Sequence, residues 1–296
     1  MSDAHNYREH HYRSADGRLN LFARDYPGVE GQGGDDLPLL LMHGLTRNSA
    51  DFEPMIGLLG AGQRRMIVPD QRGRGLSDYD SDPSNYRPEI YVADMWALLD
   101  DLAVDRAICV GTSMGGLMAM LMAGQNPNRV AGIVLNDIGP EVSEEGLDRI
   151  RSYVGPSNPL AGWAEAAAKC KAINASALEG FTQSDWLAFA ERTCRELPDG
   201  SVEFAYDSAI SSGLEQDNTT SVPPDLWPLW DALIDIPILA IRGAHSDILT
   251  PASLQEMARR RKGDLAAVEV PGRGHAPILD EPVAIVALRD FLGLRE

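Results

Sequence analysis

Cysteine is scarce in this sequence: Cys109, Cys170 and Cys194 are the only three in 296 residues, an odd and widely spaced set. That number excludes a disulfide framework, the spacing is not that of a zinc site, and reduced thiols are the expectation. Long apolar runs are missing as well. No segment approaches the roughly 18 uninterrupted apolar residues that a membrane-crossing helix needs, and the opening MSDAHNYREHHYRS lacks the apolar centre of a secretion signal. A cytoplasmic location is expected on those grounds. Basic charge is in deficit, with 26 Lys and Arg against 44 Asp and Glu and a net charge of -18. Such a chain repels phosphate backbones and anionic bilayers, so neither nucleic acid nor a membrane surface is an expected partner. Polyanionic substrates are also disfavoured, although screening over roughly 8 Å lets a single local arginine overrule the net field. No internal repeat or low-complexity tract is present.

What remains is the composition of a packed enzyme. A hydrophobic fraction of 44% with 24% charged residues rules against pervasive disorder and fibrous architectures. The length suffices for one large α/β domain or two ordinary ones. Short β-branched or aliphatic runs alternate with segments of helical period, which predicts a mostly parallel sheet flanked by helices. Strands are expected at Leu19 to Asp25, Pro38 to Met42, Met66 to Pro69, Ala107 to Val110, Val130 to Asn136, Ile236 to Ile241 and Ala267 to Val270. Val92, Met95, Trp96, Leu99 and Leu102 recur at helical spacing, and Thr250 before Pro251 supplies a helix N-cap and first turn. From Ile138 to Pro224 the strand signals give way to Ala-rich and Trp-bearing helical stretches ending in EQDNTTSVPP. The expected organisation is therefore a core of residues 1–137 and 225–296, with residues 138–224 inserted as a helical lid.

The most specific chemical signal is ICVGTSMGGLMAM, where Gly111, Ser113 and Gly115 form G-x-S-x-G between a strand-like and a helix-like run. A strand that turns into a helix within so few residues crowds the backbone, and glycines two positions either side of the serine make room. The serine hydroxyl is pushed outward. The same turn places the Met114 N–H at a helix N-terminus, where free amides and the helix dipole favour negative charge. Upstream, PLLLMHGLT ends a strand in His43, Gly44 and Leu45, a second place where a backbone amide can approach.

The serine elbow, the HG dipeptide, DQRGRGLSD after the next strand and a final GH together resemble the α/β-hydrolase family, over nearly the whole chain beyond about residue 10. Among its members the chain is most similar to bacterial esterase-like hydrolases with a helical cap. The resemblance implies an α/β-hydrolase fold with an eight-stranded type of sheet. It also implies that Leu45 and Met114 donate the oxyanion-hole N–H groups and that the insertion from Ile138 is the cap.

A serine hydroxyl needs a base whose pKa lies near the working pH, which points to histidine. Of the six histidines, His5, His10 and His11 lie in the polar N-terminal stretch, His43 shapes the oxyanion loop and His245 sits beside a candidate acid. His275, in VEVPGRGHAPILDEP, remains, and it matches the family's catalytic histidine in chain order. The acid that orients it is expected to be Asp247 in PILAIRGAHSDILTP, where the resemblance places the family's usual carboxylate. Asp137 in GIVLNDIGP is the competitor, because some relatives take their acid from there. Asp70, Arg72 and Arg74 are expected to form a turn and ion-pair element.

The expected reaction is acyl transfer from a small-molecule ester: Ser113 attacks, His275 moves the proton, and Asp247 stabilises the imidazolium. No metal or organic cofactor is called for. Carbon-carbon hydrolysis of ring-fission products and lactone hydrolysis are alternatives on the same triad, with Arg149, Arg151, Arg192 and Arg195 available to an anionic substrate. Epoxide and haloalkane hydrolases carry aspartate where this chain has Ser113, which disfavours them. A ligand sensor of the same fold is the non-enzymatic alternative. Trp163, Trp186, Trp227 and Trp230 either line the pocket or form cap core, and Met118, Met120 and Met122 are expected to pack beneath the elbow helix. The physiological ester and the oligomeric state are not fixed by the sequence.

Overall fold

The computed structural model describes residues 6–28, 37–60, 64–214 and 225–294. His5 and the polar stretch 215–224 lie outside the described residues. The chain runs β1 (Arg8–Arg13), β2 (Asn20–Tyr26), β3 (Leu39–Met42), α1 (Glu53–Leu59), β4 (Met66–Asp70), α2 (Pro88–Asp101), β5 (Ala107–Thr112), α3 (Met114–Gln125) and β6 (Val130–Asn136). It continues through α4 (Glu144–Arg151), α5 (Trp163–Asn174), α6 (Gln183–Thr193), β7 (Cys194–Glu196), β8 (Val202–Phe204), α7 (Trp227–Ala232), β9 (Ile238–Gly243), α8 (Pro251–Arg260), β10 (Leu265–Val270) and α9 (Pro282–Leu292).

Eight strands form one sheet in the order β1-β2-β4-β3-β5-β6-β9-β10, antiparallel at the β1, β2 and β4 edge and parallel from β4 onward. β3, β4 and β5 are buried along their whole length, as parallel strands covered on both faces must be, and this explains their unbroken apolar sequence. One face packs against α1 and α9 through residues such as Met55, Ile56, Ala284 and Leu288. The other packs against α2, α3, α7 and α8 through Met95, Met118, Trp230 and Met257. Met118, Met120 and Met122 are fully buried in that second layer. Thr250 caps α8 by accepting from the Ser253 N–H, with Pro251 in the first turn. Among the described residues no helix is long and apolar enough to cross a membrane.

Every strand expected from the sequence is present, with bounds that agree to within two residues. β1 was not expected. Its sequence is polar because it is an edge strand, and of its residues only Tyr12 is buried, so it carries little apolar signal. His10 accordingly lies on a strand and bonds Asp101 across 2.8 Å, whereas His11 is exposed. The segment after β6 is helical as expected but also contains an antiparallel hairpin, β7 with β8. It has an apolar cluster of its own, in which Ala166, Trp186, Phe189 and Val202 are buried.

Strand order reverses about β3: β4 lies on one side of it and β5 on the other. A crevice opens at the carboxyl ends of the strands where such a reversal occurs. Below that edge, Arg72 anchors the loop after β4. Its side chain is fully buried, and it bonds Asp94 of α2 at 2.8 Å through two nitrogens and Asp80 at 2.7 Å. Burial raises the Asp94 pKa despite the guanidinium, so this carboxylate depends on its partner to stay ionised. Replacing Arg72 with Met strands two buried acids, and urea unfolding should register a loss of about 3–5 kcal/mol. A loss below about 1 kcal/mol would show that the cluster is not a structural anchor.

Candidate active site

The elbow forms because its glycines have no side chain to clash. A β-carbon on Gly111 would lie 2.2 Å from the Gly115 carbonyl carbon, and one on Gly115 would lie 2.0 Å from the Met42 carbonyl oxygen. With both absent, β5 turns into α3 at Ser113, whose φ of 52° and ψ of -116° are costly for a residue with a side chain. The strained backbone lifts the hydroxyl clear of the helix. His275, in the loop after β10, meets it: Nε2 lies 2.8 Å from the Ser113 Oγ.

The acid on the far side of that imidazole is Asp137. Its Oδ2 lies 2.8 Å from His275 Nδ1, so Nδ1–H donates to the carboxylate and Nε2 is left to accept from the serine hydroxyl. Asp137 is fully buried, and two further donors hold it: the Gly243 N–H at 2.7 Å and the Ser246 hydroxyl at 2.6 Å. Its φ of 59° is left-handed, a conformation aspartate tolerates, and the turn swings the carboxylate from the end of β6 towards β9 and His275.

The expectation for Asp247 is thereby corrected. Asp247 does not bond His275 but forms a bidentate ion pair with Arg149 of α4. The cause is the course of its loop: the Ser246 Oγ accepts from the N–H groups of Ile248 and Leu249, and this tight turn points Ser246 inward and Asp247 outward. Burial raises the Asp247 pKa, but the Arg149 hydrogen bond and charge outweigh it and hold the carboxyl below its ordinary value. Both acids follow neighbouring parallel strands, β6 and β9, so spacing alone does not choose between them.

Asn136, one residue earlier, donates to the Thr112 hydroxyl at 3.0 Å and to the Pro277 carbonyl at 2.8 Å. It ties the strand that carries the serine to the loop that carries the histidine. Across the crevice, neither the Leu45 nor the Met114 N–H has an acceptor among the described residues. The loop that presents Leu45 is secured twice. Arg74, buried against Tyr91, donates from Nε to the Leu45 carbonyl at 2.9 Å. His43 donates from Nδ1 to the Gly44 carbonyl at 2.7 Å and accepts at Nε2 from the Gln71 N–H at 3.0 Å. Asp70 completes the turn by accepting from the N–H groups of Ser49 and Leu76.

Over Ser113 lies a cleft walled by the inserted segment: Ile150 within and Tyr153 after α4, Ile173 of α5, Phe189 of α6, Phe204 and Tyr206. A second, apolar chamber opens from the same serine between Met114, Leu117, Ile138, Val142, Leu147 and Ile248. None of the four tryptophans singled out in the sequence lines either space. Trp186 and Trp230 are core, and Trp163 bonds Glu196. Arg149, Arg151 and Arg195 are engaged by Asp247, by Glu144 and Asp148, and by Glu203 respectively. Among the described residues the arginine that does line the cleft is Arg47, two residues after Leu45, which its sequence context did not single out.

The family profile described as alpha/beta hydrolase fold matches residues 38–282. A 3-hydroxybutyrate-oligomer hydrolase of Cupriavidus necator is 32% identical to this chain, over 86% of it and 87% of its own length. A 2-(acetamidomethylene)succinate hydrolase of Mesorhizobium japonicum is 31% identical over 88% of the chain and 86% of the relative. The crystal structure of an alpha/beta hydrolase from Novosphingobium aromaticivorans matches with a TM-score of 0.89 at 40% identity, covering 97% of this chain and 98% of that one.

The bonds of His43 require the neutral imidazole, and burial, with Arg74 and Arg47 adding to it, lowers its pKa to about 3. Unfolding returns it to an ordinary value near 6.5, so the unfolded state binds the extra proton and stability falls as pH drops from about 6.5 towards 3. Urea unfolding of the His43→Asn protein should show a shallower loss of stability between pH 6 and 4, by up to about 1.4 kcal/mol per pH unit. Equal slopes in the two proteins would mean that His43 is not held neutral.

Proposed function

We propose that this chain, which belongs to the α/β-hydrolase family, is a serine hydrolase that cleaves a small carboxylic ester through an acyl-enzyme. The carrying observation is the unbroken run from Ser113 through His275 to Asp137, with 2.8 Å at each of its two contacts. Ser113 Oγ attacks the ester carbonyl carbon while His275 Nε2 takes the hydroxyl proton. The carbonyl π electrons move to oxygen, which the N–H groups of Leu45 and Met114 stabilise. Collapse expels the alkoxide, and His275 gives it the proton, releasing an alcohol. Water then attacks the acyl-serine with the same histidine as base, and collapse returns the acid and the free serine. Asp137 stays ionised throughout and stabilises the imidazolium.

Several features support this reading. The two unpaired amides stand at a helix N-terminus and a glycine loop, where a developing oxyanion is favoured. The relatives named for hydrolysis of 3-hydroxybutyrate oligomers and of 2-(acetamidomethylene)succinate support a small organic substrate. The proposal includes residues 138–224 as the cap, which encloses the site and excludes bulk water from the acyl-serine, and the cytoplasm as the place of action.

The assignment of roles is testable on aryl esters. Ser113→Ala should lower kcat by about 10⁴-fold or more, and near-normal turnover would remove the proposal. Asp137→Asn should cost roughly 10³–10⁴-fold, since the amide cannot hold the same imidazole tautomer. Asp247→Asn, which touches only the Arg149 pair, should cost less than about tenfold. The opposite ranking would place the acid at Asp247.

A further inference from the structure

Arg47 has no part in the proton relay, yet it stands on the wall of the catalytic cleft. Its Cγ and the Ser113 Cβ both lie 3.7 Å from the point where a Gly44 β-carbon would be, so the arginine stem and the nucleophile share one corner. The guanidinium lies over the Phe189 ring of α6, 4.0 Å from its centroid, and one end nitrogen bonds Asp51, which also lines the cleft. Among the described residues the Nε of Arg47 is buried without an acceptor. A charged donor left in that state costs stability unless a further acceptor arrives, and a planar fork already fixed by an aromatic ring loses little freedom when one does.

The surroundings strengthen the bias. A second guanidinium, Arg192 of α6, is close enough to be repelled by Arg47; burial lowers its pKa, and its Nε also lacks an acceptor. The acids in its field are Asp51, Glu53 and Asp280. Glu53 is bonded to Arg24, and burial raises the pKa of Asp280. Asp51 answers one end nitrogen of Arg47, and among the described residues the Nε donors of both guanidiniums have no acceptor, within a chain of net charge -18. On the other side of Ser113, the chamber between Met114 and Ile248 presents only apolar side chains beside the serine itself.

We infer that Arg47 binds a carboxylate of the substrate, and that the natural substrates are short aliphatic esters bearing one free carboxylate, seated with the scissile carbonyl at Ser113 and an apolar group in the chamber beyond it. The inference rests on the serine-hydrolase reading for where the scissile bond lies, but the anion site itself does not need turnover.

Two measurements on the full chain test it. In the first, kcat/KM is compared for mono-p-nitrophenyl glutarate and its methyl-capped diester. The wild type should favour the free acid by about tenfold or more, chiefly through KM; Arg47→Met should bring the ratio to about one, and Arg47→Lys, which keeps the charge but not the fork, should fall between. A ratio near one in the wild type, or one that neither substitution changes, overturns the inference. In the second, glutarate is titrated calorimetrically into the Ser113→Ala protein and into the same protein with Arg47→Met or Arg47→Lys. Loss of affinity by about tenfold or more with Arg47→Met supports the site, and equal affinities in all three proteins overturn it. Failure of the serine-hydrolase reading looks different: Ser113→Ala would then hydrolyse both esters at the wild-type rate while Arg47-dependent binding persisted.

Discussion

The Asp137 carboxylate is the constraint on which the site depends. It is fully buried, and three donors answer it from three places: the backbone at the end of β9, the Ser246 hydroxyl and the His275 imidazole. The arrangement reads equally well in the other direction. Because the buried charge must be answered, it draws the β9 loop and the histidine loop onto the end of β6 and fixes which imidazole nitrogen carries the proton. Asn136 continues the same tie to the Pro277 carbonyl, so two adjacent residues at one strand end hold the histidine loop against the nucleophile strand.

Facing this carboxylate is the loop that carries Leu45. It is held by its carbonyl acceptors, Gly44 to His43 and Leu45 to Arg74, and the Leu45 N–H has no acceptor among the described residues. A protonated His43 would lose the Gln71 bond, because Nε2 accepts there. Keeping it neutral thus keeps the loop in place; burial is the main obstacle to its protonation, and the positive field of the buried Arg74 and the nearby Arg47 adds to it. A developing oxyanion would meet that same field, so the residues that stabilise the loop also favour the charge that the proposed reaction creates.

Much of the scaffold was legible because its determinants are local. Strands buried on both faces carry continuous apolar runs, and the elbow is written in two glycines whose necessity follows from their contacts. Elements whose signals are weak on one face were missed: β1 at the sheet edge, and the β7–β8 hairpin, three residues a side. Of the two readings open for the tryptophans, core holds for Trp186 and Trp230, since large apolar side chains fill cores as readily as pockets. The cleft draws its aromatic wall from Phe189, Phe204, Tyr153 and Tyr206 instead.

By itself the sequence determined the α/β layering, the strained serine at the end of β5 and the histidine after the last strand, because each is encoded in a short contiguous stretch. Only the tertiary structure decided which carboxylate meets the His275 imidazole. Asp137 and Asp247 lie in the loops that follow two adjacent parallel strands, and the choice turned on a left-handed residue at one and a hydroxyl-stabilised turn at the other. It also decided the place of Arg47, which looks like an ordinary loop cation in the chain and becomes a cleft residue only when α6 lays Phe189 beneath it. Side-chain direction at a loop, and partners brought from 100 or more residues away, are set by packing rather than by neighbours in sequence.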